Sequence, residues 1–185
     1  MKLIDTRLEG PLLIEPAVHG DSRGFFVESY RAGALAELGV SDDFVQDNHS
    51  RSSRGVVRGM HFAVGAGQAK LVRCARGAIV DVLVDIRAGS PTFGEWEAFE
   101  LNDDSLRLLY APIGFAHGFC VTSAVADVAY KLSSYYSPDV ERGFAFNDPE
   151  VGIDWPQVEL VYSERDASAP RLSEIAADLP FNFDG

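Results

Sequence analysis

The stretch from Lys70 to Arg87 alternates apolar and polar residues with a period of two, the pattern of an extended chain with one buried face. That face carries four apolar side chains, those of Val80, Val82, Val84 and Ile86. Gly77 interrupts the alternation as a turn residue, so we predict a strand pair, with one strand on either side of it.

Similar short extended segments recur through the chain, bounded by Gly, Pro, Asn, Asp and Ser. They lie at 12–14, 24–30, 56–62, 95–101, 107–111, 118–122 and 125–135. Many short strands at this spacing are typical of an all-β sandwich or barrel.

Two segments favour a helix. Residues 31–39 contain good helix formers and end at Gly39, a residue suited to the C′ position. Near the C-terminus Ser173 precedes Glu-Ile-Ala-Ala-Asp, and we predict it as an N-cap. No internal repeat and no linker rich in Pro, Gly or Ser divides the 185 residues, so we expect one domain over 1–185.

The formal net charge of −12 argues against nucleic-acid polymers and anionic membranes as partners, because both require a basic binding face. The first residues lack an apolar signal core, and no apolar run approaches the roughly 18 residues of a spanning helix. We therefore expect a cytoplasmic protein. Cys74 and Cys120 are too few for a disulfide framework or a zinc knuckle, and we expect two buried thiols.

One stretch departs from the acidic composition. Residues 48–80 contain no Asp or Glu, although the chain has 28. The same stretch holds six cationic side chains, those of Arg51, Arg54, Arg58, Lys70, Arg73 and Arg76. Two interpretations stay open, a binding site for a small anion or solvated loop charges of the usual kind.

Four histidines are available for chemistry, His19, His49, His61 and His117. His61 lies on a predicted strand inside the acid-free stretch, where a satisfied core histidine is the alternative to a catalyst. His117 lies at a loop that enters a strand, a place where functional residues concentrate. His19 and His49 lie in polar, turn-like segments, and we expect them at the surface.

Metal and cofactor motifs are missing from the sequence. No second His and no Glu follows His61 at a ligand spacing, so a dioxygenase or a metal isomerase lacks its main support. There is also no GxGxxG opening a helix, no GxxxxGK[ST] and no GxSxG. Acid-base chemistry without a metal remains, with His61 as the candidate base.

Such chemistry needs further groups around His61. Lys70 and Arg58 can supply positive charge for an enolate. Tyr130 alternates with two apolar residues, so its phenol is predicted to face the barrel interior, where a packed core tyrosine is the alternative interpretation. Asp166 can orient a histidine, or it can be a plain carboxylate at a helix start after an N-cap serine.

Nine segments, taken together, resemble the dTDP-4-dehydrorhamnose 3,5-epimerase family. Two of the most specific read Gly-Met-His-Phe and Ile-Gly-Phe-Ala-His-Gly-Phe. The segments follow one another in order over nearly the whole chain, at 20–28, 44–50, 55–62, 68–74, 84–94, 112–119, 130–138, 153–156 and 163–166. Each is weak alone, and the ordered set is highly specific.

The resemblance implies a cupin-like jelly-roll β-barrel with a few short peripheral helices. It also implies a homodimer that needs neither a metal nor an organic cofactor, with a dTDP-4-keto-6-deoxy sugar as substrate. The product of double epimerisation would be dTDP-4-dehydro-L-rhamnose. On this sequence, His61 would remove a proton alpha to the C4 ketone, Asp166 would orient His61, Tyr130 would reprotonate the opposite face, and Lys70 would stabilise the enolate.

The resemblance also implies a set of substrate contacts. These are Arg58, His117, Gln46, Asp47, Asn48, Glu141 and Arg165, with Tyr135 stacking on the thymine and Arg23 and Glu28 reaching the nucleotide of the neighbouring subunit. Many members carry lysine where this chain has Arg165, which keeps the charge but changes the geometry of the contact.

Several alternatives stay open on the sequence alone. Relatives from antibiotic-sugar pathways epimerise only C3 or only C5 with the same base and acid, so a mono-epimerase is one alternative. A keto-isomerase on the same barrel is the next. A non-catalytic cupin-like sugar-binding module and a metal-dependent oxygenase belong to other functional classes.

Overall fold

A computed structural model describes residues 1–183 of the chain, and in this part it contains thirteen strands. The strands are Lys2–Ile4 (β1), Leu12–Glu15 (β2), Val18–Asp21 (β3), Gly24–Val27 (β4), Gln46–Ser53 (β5), Val57–Ala63 (β6), Lys70–Arg76 (β7), Ala78–Asp85 (β8), Trp96–Asn102 (β9), Leu108–Ala111 (β10), Phe115–Val121 (β11), Val125–Leu132 (β12) and Glu141–Gly143 (β13).

The strands form two large antiparallel sheets and a small ribbon. The six-stranded sheet has the order β1-β2-β10-β7-β12-β5, the five-stranded sheet has the order β13-β6-β11-β8-β9, and β3 pairs with β4 alone. Apolar side chains from both large sheets meet in one core, for example Val72 and Val128 from the first and Leu83 and Leu101 from the second. The two sheets therefore pack face to face. This is the all-β, cupin-like architecture predicted from the sequence.

The segment 70–87 is extended, as predicted, but its two strands do not pair with each other. β7 lies in the six-stranded sheet between β10 and β12, whereas β8 lies in the five-stranded sheet between β11 and β9. Gly77 has φ +77°, and a Cβ there would lie 2.2 Å from the Val125 carbonyl oxygen. The predicted strand pair is thus wrong, because Gly77 carries the chain from one sheet to the other.

The two faces of β8 pack against different parts of the molecule. Val82, Val84 and Ile86 point away from the cavity and pack against the C-terminal part of the chain, including Phe144 and Phe181. The alternate residues of β8 point between the sheets.

The short helices lie at the periphery, at Ala32–Ala36 (α1), Glu164–Ala167 (α2) and Leu172–Ile175 (α3), followed by a 3-10 turn at Ala176–Asp178. After α1 the Gly39 N–H donates to the Ala36 carbonyl and the Val40 N–H to the Leu35 carbonyl, both at 3.0 Å, so Gly39 ends the helix as predicted.

The predicted N-cap at Ser173 is wrong. Helix α3 begins at Leu172, and Arg171 is its extended N-cap residue. The Arg171 N–H donates to the Glu174 carboxylate at 2.7 Å, and the Leu172 N–H donates to the Asp148 carboxylate at 2.8 Å. Carboxylates therefore satisfy these first N–H groups, and Ser173 lies inside the first turn.

The Asp85 carboxylate, at the end of β8, holds the loop that follows this strand. It accepts hydrogen bonds from the Arg87 guanidinium at 2.7 Å and from the Ser90 and Thr92 hydroxyls. Burial alone would raise the pKa of the Asp85 carboxyl, but these hydrogen bonds outweigh burial and lower the pKa. Arg87 also lies over the rings of Phe115 and Phe183.

Both thiols are buried and free, as expected. No helix among residues 1–183 is long and apolar enough to cross a membrane.

Candidate active site

A cavity of about 510 Å³ opens between the two large sheets. Nine of the fourteen site residues named from the sequence line it. They are Asn48, Arg58, His61, Lys70, His117, Tyr130, Glu141, Arg165 and Asp166. The fold thus brings together predicted site residues that are up to 118 positions apart in the chain.

A bulge in β6 places two of these side chains on the same wall. His61 is opposite His117 on β11, and Arg58 is opposite Phe119, so three steps along β6 match two steps along β11. In a regular strand Arg58 and His61 would point to opposite faces. The extra residue brings both into the cavity. Arg58 donates to the Ser52 hydroxyl on β5 at 3.2 Å.

Two glycines allow β6 and β11 to approach closely at this bulge. A Cβ on Gly118 would lie 2.9 Å from the Arg58 carbonyl oxygen, and a Cβ on Gly59 would lie 2.5 Å from the Gly118 Cα. Gly59 also has φ +134°, which residues with a side chain rarely adopt. The glycines that flank the catalytic candidates are thus required by backbone contact.

His61 is held by a carboxylate from outside its sheet. Its Nε2 lies 2.7 Å from the Asp166 Oδ1, and Asp166 belongs to α2. The Ser163 hydroxyl accepts the Asp166 backbone N–H at 3.1 Å, so the predicted N-cap serine exists and positions Asp166 at the helix start. Asp166 thus lies at a helix start after an N-cap serine and also bonds to His61, so the two interpretations that the sequence left open both apply.

The ionisation of Asp166 defines the tautomer of His61. Burial would raise the pKa of the Asp166 carboxyl, but its bonds to His61 and Ser163 outweigh burial and lower the pKa. An ionised carboxylate only accepts, so the His61 Nε2–H donates to it. The Nδ1 lone pair of His61 is then free to take a proton.

The opposite wall of the cavity belongs to the six-stranded sheet. Tyr130 projects from β12, with Asn48 directly opposite it on β5, and Lys70 projects from β7. Tyr130 therefore faces the barrel interior, as predicted, and it lies on the other sheet from His61.

Lys70 is a buried cation between the walls. Its Nζ donates to the His61 carbonyl oxygen at 3.4 Å. Burial lowers the pKa of the Lys70 ammonium, and the carboxylates of Glu141 and Asp81 oppose that effect. Lys70, which belongs to the acid-free stretch, thus has two carboxylates from outside that stretch as neighbours.

Arg58 and Lys70 are the cations of that stretch that line the cavity. Arg51 points to the other face of β5 and pairs with Asp127 at 2.6 Å, which lowers the pKa of Asp127 to about 2. Arg58 and Lys70 are therefore placed where a small anion could bind, whereas Arg51 is an ordinary paired charge.

His117 has a carboxylate partner that sequence reasoning missed. Its Nε2 lies 2.9 Å from the Asp81 Oδ2, and both side chains are buried. His117 itself lies inside β11, which begins three residues before the predicted strand, and so the predicted loop position is wrong. The sequence did carry a signal for Asp81, because it stands between the apolar residues Ile79 and Leu83 on the inner face of the strand.

The whole of β5 was also missed. Its inner face carries Gln46, Asn48, Ser50 and Ser52, and its outer face carries Asp47, His49, Arg51 and Ser53. Both faces are polar, so no apolar alternation marks the strand. Among further residues of the cavity, Gln68, Phe119, Tyr136 and Tyr162 also went unpredicted.

Five predicted contacts lie outside the cavity of this chain. Gln46 accepts the Tyr136 N–H at 2.8 Å, and Asp47 pairs with Lys131 at 3.1 Å on the outer face of the sheet. Arg23 pairs with Asp21 in the β3–β4 ribbon, Glu28 pairs with Arg31, and Tyr135 is exposed. Glu28 and Asp47 share a surface cavity, but within residues 1–183 of a single chain the five residues do not line one common site.

Among residues 1–183 no group of three or more His, Cys, Asp or Glu side chains could hold a metal ion. His19 and His49 are exposed, as expected. The cavity itself brings together a carboxylate-bound histidine, a phenol on the facing wall and a buried ammonium. These are the groups for removing a proton from one face of a carbon acid and returning it to the other.

Comparison with known proteins finds matches in one family. The family model for dTDP-4-dehydrorhamnose 3,5-epimerase matches residues 5–174. The dTDP-4-dehydrorhamnose 3,5-epimerase of Pseudomonas aeruginosa is 50% identical over 173 residues, which cover 91% of this chain and 96% of that protein. A dTDP-4-dehydrorhamnose 3-epimerase of Streptomyces niveus is 45% identical over 176 residues, covering 94% and 85%.

A solved structure extends the likeness to the fold. The dTDP-6-deoxy-D-glucose-3,5-epimerase of Legionella pneumophila, crystallised in complex with dTDP-4-keto-L-rhamnose, superposes with a TM-score of 0.96. It is 46% identical, and the match covers 100% of this chain and 99% of that one.

Proposed function

Since the chain belongs to the dTDP-4-dehydrorhamnose 3,5-epimerase family, we propose that it inverts C3 and C5 of dTDP-4-dehydro-6-deoxy-D-glucose to give dTDP-4-dehydro-L-rhamnose. The reaction is an isomerisation that needs a base, an acid and a stabiliser of negative charge. The described residues of the cavity supply one of each.

His61 is the base. Its Nδ1 takes the proton from the carbon next to the C4 ketone, the C–H electron pair forms the carbon-carbon double bond, and the carbonyl electrons move to the C4 oxygen. The imidazolium that results stays bonded to the Asp166 carboxylate at 2.7 Å, which stabilises its charge. Lys70 is the cation that stabilises the enolate oxygen, and its burial strengthens that interaction.

Tyr130 is the acid. Its phenol returns a proton to the same carbon from the other side while the enolate collapses to the ketone, which inverts the carbon. The observation that carries this proposal is that His61 and Tyr130 line one cavity from two different sheets. Arg58, Asn48, His117, Glu141 and Arg165 are substrate contacts in this proposal, and no cofactor takes part.

We further propose that the enzyme is a homodimer. The β3–β4 ribbon exposes Phe25 and Phe26, with 61% and 68% of their surfaces accessible, and a two-stranded ribbon is marginally stable by itself. A second copy would cover these rings and would bring Arg23 and Glu28 to the nucleotide of the partner subunit. The proposal extends to Gln46, Asp47 and Tyr135 as substrate contacts, to a single domain over 1–185 and to a cytoplasmic location.

The main alternative is inversion of one carbon. The Streptomyces niveus relative, a 3-epimerase by name, is nearly as similar to this chain as the 3,5-epimerases are. The same base and acid serve either outcome, so the number of inverted carbons depends on how the sugar is seated.

Turnover of dTDP-4-keto-6-deoxyglucose in deuterated water, followed by NMR, tests the proposal. Deuterium should enter both C3 and C5, because the phenol of Tyr130 exchanges with solvent before it returns a proton. His61→Ala should abolish incorporation at both carbons. Deuterium at one carbon only would assign a mono-epimerase, a shifted carbonyl would assign an isomerase, and no exchange in the wild-type enzyme would reject the proposal.

A further inference from the structure

The cavity contains a second histidine-carboxylate pair beside the first. His61 on β6 and His117 on β11 are direct register partners, and each ring engages a carboxylate through Nε2, at 2.7 Å to Asp166 and at 2.9 Å to Asp81. The two carboxylates come from different parts of the fold, α2 and β8. The mechanism above assigns a role to Asp166 but none to Asp81.

Asp81 is costly to bury. Its side chain is fully buried, and its Oδ1 has no hydrogen-bond partner in the described part of the chain. A buried carboxylate is destabilising unless cations compensate it, and an apolar residue of similar size would usually serve the fold better. The neighbours of Asp81 on the inner face of β8, Ile79 and Leu83, are such apolar residues. Burial raises the pKa of the Asp81 carboxyl, and the neighbouring His117 and Lys70 oppose that effect. An acidic residue at this position therefore requires an explanation other than packing.

Two cavity side chains provide that explanation. His117 bonds to Asp81 directly, and the Lys70 ammonium interacts electrostatically with the same carboxylate. Lys70 in turn lies 3.4 Å from the His61 carbonyl oxygen, beside the position of the base. His117 and Lys70 thus flank Asp81 next to the point where the substrate gains negative charge.

We propose that Asp81 is a positioning residue for the epimerisation, which acts by orienting His117 in the cavity. With Nε2–H donating to Asp81, the Nδ1 nitrogen remains for the substrate. In the imidazolium this nitrogen donates a hydrogen bond to the C4 oxygen as the enolate forms, and Lys70 contacts the same oxygen. The inference rests on the proposed epimerase function and adds a second donor to it.

The test compares Asp81→Asn, His117→Asn and the double variant in the deuterium-exchange assay. Asp81→Asn keeps the size of the side chain and replaces its carboxyl group by an amide. We expect kcat to fall on the order of 10²-fold while KM stays within about threefold, because the lost interaction strengthens only as the enolate forms. The double variant should be no slower than His117→Asn alone, because Asp81 acts through His117.

Asp85→Asn is the matched control. Asp85 is an equally buried carboxylate on the same strand, and it bonds to Arg87, Ser90 and Thr92 away from the cavity. This variant should lose thermal stability and keep the wild-type kcat.

Several outcomes would overturn the inference. It would be overturned by a wild-type kcat in Asp81→Asn or by additive losses in the double variant. It would also be overturned by a raised KM with unchanged kcat, because Asp81 would then contribute equally to binding of the substrate and of the transition state. If Asp81→Asn does not fold, the ¹⁵N NMR spectrum of the wild-type histidines still decides. Nε2 of His117 should be protonated, and an unprotonated Nε2 contradicts the inference. A wild-type chain that does not epimerise the sugar at all would instead reject the proposed function.

Discussion

Tyr130 lines the cavity from the sheet opposite His61. In the proposed reaction His61 removes the proton and Tyr130 returns one, so a substitution of Tyr130 separates the two steps. In Tyr130→Phe the base can still remove a proton and return a deuteron from the same side. We therefore predict that deuterium enters the substrate with retained configuration, while epimer formation falls about 10²- to 10⁴-fold. NMR of the recovered sugar measures both.

Tyr110→Phe is the control for that substitution. The Tyr110 hydroxyl donates to Asp42 at 2.5 Å away from the cavity, so its loss should cost about 1 kcal/mol of unfolding free energy and leave exchange and inversion intact. Wild-type inversion by Tyr130→Phe would show that another group is the acid.

At the scale of the secondary-structure element, the positions of Arg58 and His61 depend on the close approach of β6 and β11. A Cβ at Gly118 would lie 2.6 Å from the Met60 Sδ and 2.9 Å from the Arg58 carbonyl oxygen. Met60 can move, but the backbone oxygen cannot without shifting β6. Gly118→Ala should cost about 1–3 kcal/mol of unfolding free energy and lower kcat, because Arg58 and His61 are displaced together. Thermal unfolding and steady-state kinetics check the two effects.

Gly33→Ala offers the comparison within the same chain. Gly33 lies in helix α1, and a Cβ there would have nothing within 4 Å. The same substitution should stabilise the protein there by about 0.5–1 kcal/mol, since alanine loses less backbone entropy in a helix. Equal effects at the two glycines would refute the argument from backbone contact.

At the scale of the whole molecule, the proposed dimer makes each site depend on two chains. An Arg23→Ala subunit keeps its own His61, and a His61→Ala subunit keeps the Arg23 that its partner needs. Co-expression of these two inactive variants should restore about a quarter of the wild-type activity, because half of the dimers are mixed and each mixed dimer has one complete site.

The matched control for this experiment pairs His61→Ala with Asp166→Asn. His61 and Asp166 belong to the cavity of the same chain. Each site in a mixed dimer of these variants therefore lacks either His61 or the Asp166 carboxylate, and only the residual activity of Asp166→Asn remains. Recovery no greater than that residual activity is expected. Absence of recovery with Arg23→Ala, in a sample that size-exclusion chromatography shows to be dimeric, would contradict the intersubunit role of Arg23.

Local sequence patterns predicted much of this molecule. Period-2 alternation located most of the strands, Gly39 marked the end of α1, and Ser163 before Asp166 marked the start of α2. The ordered motifs named nine residues that do share one cavity. These features depend on residues close in sequence or on spacings that a family keeps, and both can be read from one chain.

The tertiary structure alone decided which segments meet. Strands β7 and β8 are adjacent in sequence yet belong to different sheets, and the bulge in β6 turns Arg58 toward the same cavity as His61. Strand β5 carries no apolar face because it is exposed outside and lines a polar cavity inside. Asp81 acquires a meaning only beside His117, 36 positions away. Periodicity reports which side of a segment is buried, whereas strand pairing and charge neighbours depend on contacts between segments distant in the chain.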